Sequence, residues 1–221
     1  MPNTTLVKLL ERSAEFESVL LAEFTEGGLM LTSQEPRHDF AAAAALIAIE
    51  HAGALRAASQ VGAMNSAAGL LRLQYEAVLR AAWLLFAAGP SQVEKLTKTL
   101  DLEAEQSAKN MPGYMDMLTA IEKFAPAGLA APLAEFNRYS RHALNSFVHA
   151  GIHPLTRVRS GFPDELAEKL LRFSTGLLHF SYRLLAALTG SQERMNRVTR
   201  SYAAFEDCLP MSPRQENGSF S

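Results

Sequence analysis

Apolar residues recur along nearly the whole chain at the three- and four-residue spacing of an amphipathic helix, and no segment shows the strict alternation of a strand. The pattern predicts an all-α protein, a single bundle of about six to eight helices. The first helix, capped by Asn3 or Thr4, runs to about residue 24 and turns Leu6, Leu9, Leu10, Phe16, Leu20 and Leu21 toward a core. Gly27-Gly28 stops it. After a loop containing Pro36, Asp39 caps an Ala-rich second helix to about residue 59, which Gly62 ends. The third, from about 65 to 88, is apolar nearly all round, as the central helix of a bundle is. Ser91 with Glu94 forms a capping-box pattern for a fourth, more polar helix through about residue 109. A shorter helix at about 113–124 and a longer one at about 131–150 follow, then a loop, IHPLTRVRSGF. Pro163, Asp164 and Glu165 open a long helix to about residue 188, and a basic helix carries Arg194, Arg197 and Arg200. One domain over residues 1–209 is expected, with a disordered Pro-, Ser- and Gly-containing tail at 210–221.

Composition narrows the function. At 221 residues, 48% apolar and 20% charged, the chain can bury a sizeable core. A net charge of −2 argues against wholesale coating of nucleic acid or an anionic membrane and leaves room for a local basic patch. The one cysteine, Cys208, makes no internal disulfide. The N-terminus is acidic and amphipathic, unlike a signal peptide, and the longest apolar run, 40–49, ends at Glu50, too short to span a bilayer. A cytoplasmic protein without membrane association is the expectation.

The candidate chemistry lies in polar residues that interrupt apolar helices. In the third helix Arg72, Glu76 and Arg80 follow at i, i+4 and i+8, one stripe with Trp83 on the same side. Glu76 neutralises one arginine, not both. Glu50, beside His51 in the second helix, is a candidate partner for Arg72 or Arg80, giving an internal salt-bridge network; the alternative is a bound anion such as phosphate. In the 131–150 helix, Arg138, His142, Asn145 and His149 fall within an arc of roughly 60° at ~100° per residue. Phe136, Ala143, Leu144, Phe147 and Val148 occupy the opposite side. His, Asn and Arg in place of Lys, Glu and Gln suit a polar pocket between helices. Metal ligation is disfavoured, since His153 stands between a glycine and a proline and no HExxH, Glu-x-x-His or Cys cluster occurs. No nucleophile elbow, phosphate loop or dinucleotide fingerprint appears either. Acid–base chemistry by a histidine beside an amide and arginines remains.

A helical bundle whose late helix carries Arg, Asn and then His before a Gly-containing break resembles the HEPN superfamily, all-α proteins common in toxin–antitoxin, abortive-infection and other defence systems. The segments LRLQYEAVLRAAWLL, residues 71–85, and LNSFVHAG, residues 144–151, carry the likeness, and in architecture it covers about residues 40–190. Active HEPN proteins are metal-independent ribonucleases without a cofactor. Two of their sites often meet across a homodimer, and the resemblance implies an RNA or a cognate antitoxin as partner. Their motif is an arginine, usually followed by a polar residue, and a histidine after about four to six intervening positions. His149 matches the histidine and Arg141, followed by His142, the arginine, with Arg138 as the alternate. This chain departs from the motif, because seven residues separate Arg141 from His149, about 80° around the helix and ~12 Å along it.

Two functions follow. In the first, the protein is a non-enzymatic or degenerate HEPN-like module that binds a partner or senses a ligand through its His, Asn and Arg network. In the second it is a ribonuclease, with His149 as general base, Asn145 orienting it, Arg141 or Arg138 on the scissile phosphate, and Arg157 and Arg159 on the RNA backbone. The arginines at 194, 197 and 200 are a further candidate partner surface.

Overall fold

The computed structural model describes residues 4–25, 28–98 and 111–210. These form nine α-helices, one 3-10 helix and no strand. The α-helices are α1 (Thr4–Ala22), α2 (Pro36–Gln60), α3 (Met64–Phe86), α4 (Pro90–Thr97) and α5 (Tyr114–Phe124), then α6 (Ala127–Val148), α7 (Ile152–Ser160), α8 (Asp164–Leu188) and α9 (Gln192–Ser201). The 3-10 helix is Tyr202–Cys208.

The bundle is built on α3 and α8. α2 and α3 form a tight helical hairpin, α8 packs on α1, α2, α3 and α9, and α5 and α6 cover the remaining side of α3. Both central helices bury polar side chains, and each has a partner. Gln74 Nε2 donates to the Ser174 carbonyl at 2.9 Å, and Ser174 Oγ donates to Gln74 Oε1 at 2.7 Å, a reciprocal pair that fixes the register of α3 on α8. Thr175 Oγ1 donates to Leu171 O, so the hydrogen in its 2.8 Å contact with Ser13 comes from the serine, tying α1 to α8. Tyr75, fully buried, donates its hydroxyl to Leu133 O of α6 at 3.0 Å. Buried groups satisfied in this way specify one arrangement of apolar helices that burial alone would leave free to slide.

Several boundaries differ from the sequence reading. α2 starts at Pro36, whose fixed φ and missing N–H suit a first turn, so Asp39 lies inside that turn and is not the cap. α4 opens with Gln92 Oε1 accepting from Gly89 N–H, instead of a Ser91–Glu94 box, and ends at Thr97; its expected continuation lies outside the described residues, as do Gly27 and the 211–221 tail. Leu21 is half-exposed, because the core side of α1 is set by Leu9, Leu10, Phe16 and Leu20. α2, at 25 residues, is longer than its apolar run and is long and apolar enough to cross a membrane by length and composition; its buried alanines pack within the bundle.

The segment expected as a loop is the helix α7. α6 closes in a Schellman-type turn: Ala150 takes φ 49° and Gly151 N–H donates to Ser146 O at 2.8 Å. A Cβ on Gly151 would sit 2.6 Å from Ser146 Oγ, so a side chain here would displace the hydroxyl that accepts from His153 N–H. Pro154 then falls in the first turn of α7, where its missing N–H costs nothing, and it starts a helix instead of stopping one.

Candidate functional site

The structure separates the polar stripes read from the sequence. Arg72 is buried, with Nε 2.8 Å from Glu76 Oε1 and its guanidinium 3.8 Å over the Tyr114 ring of α5. The carboxylate and the aromatic face together satisfy it. Glu50 is therefore not its partner: it lies exposed on the outer side of α2, while His51 and Arg80 are half-buried and Arg80 has no ion pair among the described residues. The expected internal network reduces to one i,i+4 pair.

On α6 the helical phase is as read, but the environment is not a pocket. Arg138, His142, Asn145 and His149 are all exposed. The reason is the packing of α6, which buries Leu129, Leu133, Phe136 and Leu144 and leaves the opposite face to solvent. Arg138 folds back on its neighbour, with Nη2 2.9 Å from the Tyr139 hydroxyl, and half-buried Arg141 reaches only Met115 Sδ at 3.9 Å. His149 is the C-cap, and no side-chain hydrogen bond joins it to Asn145, Arg141 or Arg138 among the described residues. His153 and Arg157 on α7 line a pocket of about 160 Å³ with Ile152 and Thr156, whereas Arg159 is exposed. Among the described residues no group of three or more His, Cys, Asp or Glu side chains is placed to hold a metal ion.

A larger cleft, about 630 Å³, opens elsewhere. It exists because α6 and α8 each pack on α3 but not along each other, touching through Phe136 and Phe173, whose ring centroids are 5.2 Å apart. α6 supplies Gly128, Pro132, Leu133, Glu135, Phe136 and Tyr139; α8 supplies Phe173, Gly176, Leu177, His179, Phe180 and Arg183. The end of α9, the 3-10 helix and Pro210 close the third side with Thr199, Arg200, Tyr202 and Ala203. Gly176 allows a close approach there, since a Cβ would meet the Pro210 ring at 3.0 Å. The wall is mainly apolar with a minority of polar surface, the usual composition of a small-molecule site.

Three of those groups have defined states. His179, buried at the cleft edge between Phe16 and Tyr202, holds Nε2 2.9 Å from Val198 O. A carbonyl only accepts, so Nε2 carries the hydrogen and Nδ1 is the acceptor of the neutral ring. Burial pushes its pKa down to about 4. Arg183 is half-buried, has no ion pair among the described residues, and leaves its buried Nε without an acceptor. Desolvation lowers its pKa, and its guanidinium lies 5.6 Å from the Phe180 ring. Tyr202, whose hydroxyl points to Pro210 O at 3.5 Å, has its pKa raised by burial. By contrast Cys208, outside the cleft, is buried with its thiol pushed up to about 11, which leaves it unreactive at neutral pH.

Sequence reasoning missed His179, Arg183, Phe180 and Tyr139. A signal was present in α8, where Phe173, Gly176, Leu177, Phe180 and Arg183 fall on one side at ~100° per residue, a glycine and an arginine within an aromatic stripe.

The His179 state has a consequence for stability. The folded ring stays neutral down to about pH 4, while in the unfolded chain it protonates near its ordinary pKa of about 6.5. The unfolded state binds more protons between those values, so stability conferred by this group is present above about pH 6.5 and lost as pH falls to 4. Urea unfolding of wild type and His179→Gln at both ends of this window checks it. The advantage of wild type should shrink by about 3 kcal/mol on acidification, and a difference constant with pH would contradict it.

Fold and cleft together define an all-α helical bundle with one large amphipathic cleft between its late helices. The chain belongs to a family of unknown function, DUF6988, whose profile matches residues 45–211. That span takes in α3, α6, α8 and α9, hence every wall of the cleft. No curated protein and no solved structure matches the chain.

Proposed function

We propose that the protein is a non-enzymatic, HEPN-like ligand-sensing module whose ligand occupies the cleft between α6, α8 and the α9 end. The observation that supports this reading is the contrast between the two polar regions. The cleft has enclosing apolar walls, a buried neutral histidine and an arginine without a carboxylate. The Arg141–His149 stretch has neither walls nor mutual contacts, and its spacing exceeds the ribonuclease motif. General base catalysis needs a histidine held against its target, whereas exposed His149 is oriented by no side chain.

Binding of the neutral apolar dye Nile red tests the reading. A Cβ at Gly128, which lines the cleft, meets no atom within 4 Å, so Gly128→Phe adds a ring at the cleft margin without a clash at Cβ. Wild type is expected to bind the dye, and Gly128→Phe to bind it at least about tenfold more weakly, a loss of roughly 1.4 kcal/mol. In parallel, RNA incubated with the protein without metal should stay intact. Cleavage that leaves a 2′,3′-cyclic phosphate and is lost in His149→Ala would overturn the reading in favour of the ribonuclease.

A further inference from the structure

The cleft's charges narrow the class of its ligand. Four ionisable residues other than tyrosine line it: Glu135, His179, Arg183 and Arg200. No ion pair joins Glu135 to either arginine. His179 is held neutral by burial, against the opposing pull of its bond to Val198 O. Arg200, at the exposed rim, spends Nε on Asn196 O of its own helix at 3.3 Å. Arg183 is different. Its guanidinium carbon lies 5.6 Å from the Phe180 ring centroid, and its buried Nε–H finds no acceptor. The Nε is covered by protein atoms, so an anion in the cleft meets the guanidinium through its Nη groups, where a carboxylate forms charge-assisted hydrogen bonds. Two arginines without an ion pair among the described residues, Arg183 and Arg200, and one carboxylate, Glu135, leave the lining one positive charge in excess with His179 neutral, which a monoanion balances and a doubly charged phosphate exceeds. Apart from the hydroxyls of Tyr139, Thr199 and Tyr202, the remaining wall is apolar, with Leu133, Phe136, Phe173 and Leu177 among its residues.

We infer that the cleft takes an amphipathic monocarboxylate, its carboxylate on Arg183 and its apolar body against Leu133, Phe136, Phe173 and Leu177. The inference rests on the cleft being a ligand site, and the experiment separates the two claims. The full-length protein is titrated with the fluorescent acid dansylaminoundecanoate and with its methyl ester, which has the same body without the charge. The acid is expected to bind wild type about 10- to 100-fold more tightly than the ester, the range of a charged hydrogen bond. Arg183→Gln should bring the acid down to the ester's affinity and leave the ester unchanged, and Arg183→Lys should fall between. Gly128→Phe should weaken both. Equal affinity of acid and ester for wild type would overturn the monocarboxylate while leaving the cleft as an apolar site. Failure of the acid, the ester and Nile red alike would overturn the cleft itself.

Discussion

Replacing Gln74 by alanine should destabilise the protein by about 3 kcal/mol, measured by urea unfolding at pH 7. Gln74 is fully buried and makes two hydrogen bonds across the α3–α8 interface, one to the Ser174 carbonyl and one from its hydroxyl. Truncation leaves the Ser174 hydroxyl without its acceptor in a site that water does not reach, removes the second bond from the Ser174 carbonyl, and opens a cavity between the two central helices. Each contribution is of order 1–3 kcal/mol. Ser174→Ala alone should cost less, about 1 kcal/mol, because the carbonyl keeps its bond to Nε2. Equal costs for the two variants would mean that the pair does not hold the register of α3 on α8.

The second large effect separates two residues that the sequence made equivalent. Glu76→Ala should cost about 2 kcal/mol, because it strips buried Arg72 of its carboxylate. The loss stays below the 3–5 kcal/mol of a fully buried pair, since Glu76 is itself half-exposed and the Tyr114 ring still covers the guanidinium. Arg80→Ala should stay within about 0.5 kcal/mol, as for an ordinary surface change. Arg80 makes no ion pair among the described residues. Thermal or urea unfolding of the two variants side by side checks this, and a large loss from Arg80→Ala would show a partner that the fold does not reveal.

These residues also show how much could be read from the chain alone. Period and caps give helix identity, so the central place of α3 and the opening of α8 after Pro163 were both legible. The phase of α6 was legible too: Arg138, His142, Asn145 and His149 do share a face. What phase cannot state is which side of a helix its neighbours occupy. A polar stripe opposite an apolar one is equally the wall of a pocket or the outside of a bundle, and packing on α3 and α5 decided for the outside. Pro154 misled for a related reason, because proline both ends and begins helices and only the Ala150–Gly151 turn tells which. The cleft was illegible because it is a gap between α6 and α8, and each contributes residues that read as ordinary core or surface on its own. Arg183 alone in a leucine-rich helix gave no sign that its carboxylate partner would be missing.

The most direct test of the account is a methyl NMR titration of the full-length protein with dansylaminoundecanoate. The account predicts saturable shifts at the Leu133 and Leu177 methyls, which line the cleft, with the exposed Val148, next to His149 in the chain, unmoved. Shifts at Val148 with Leu133 and Leu177 unmoved would place the functional surface near the exposed histidine stripe and contradict it.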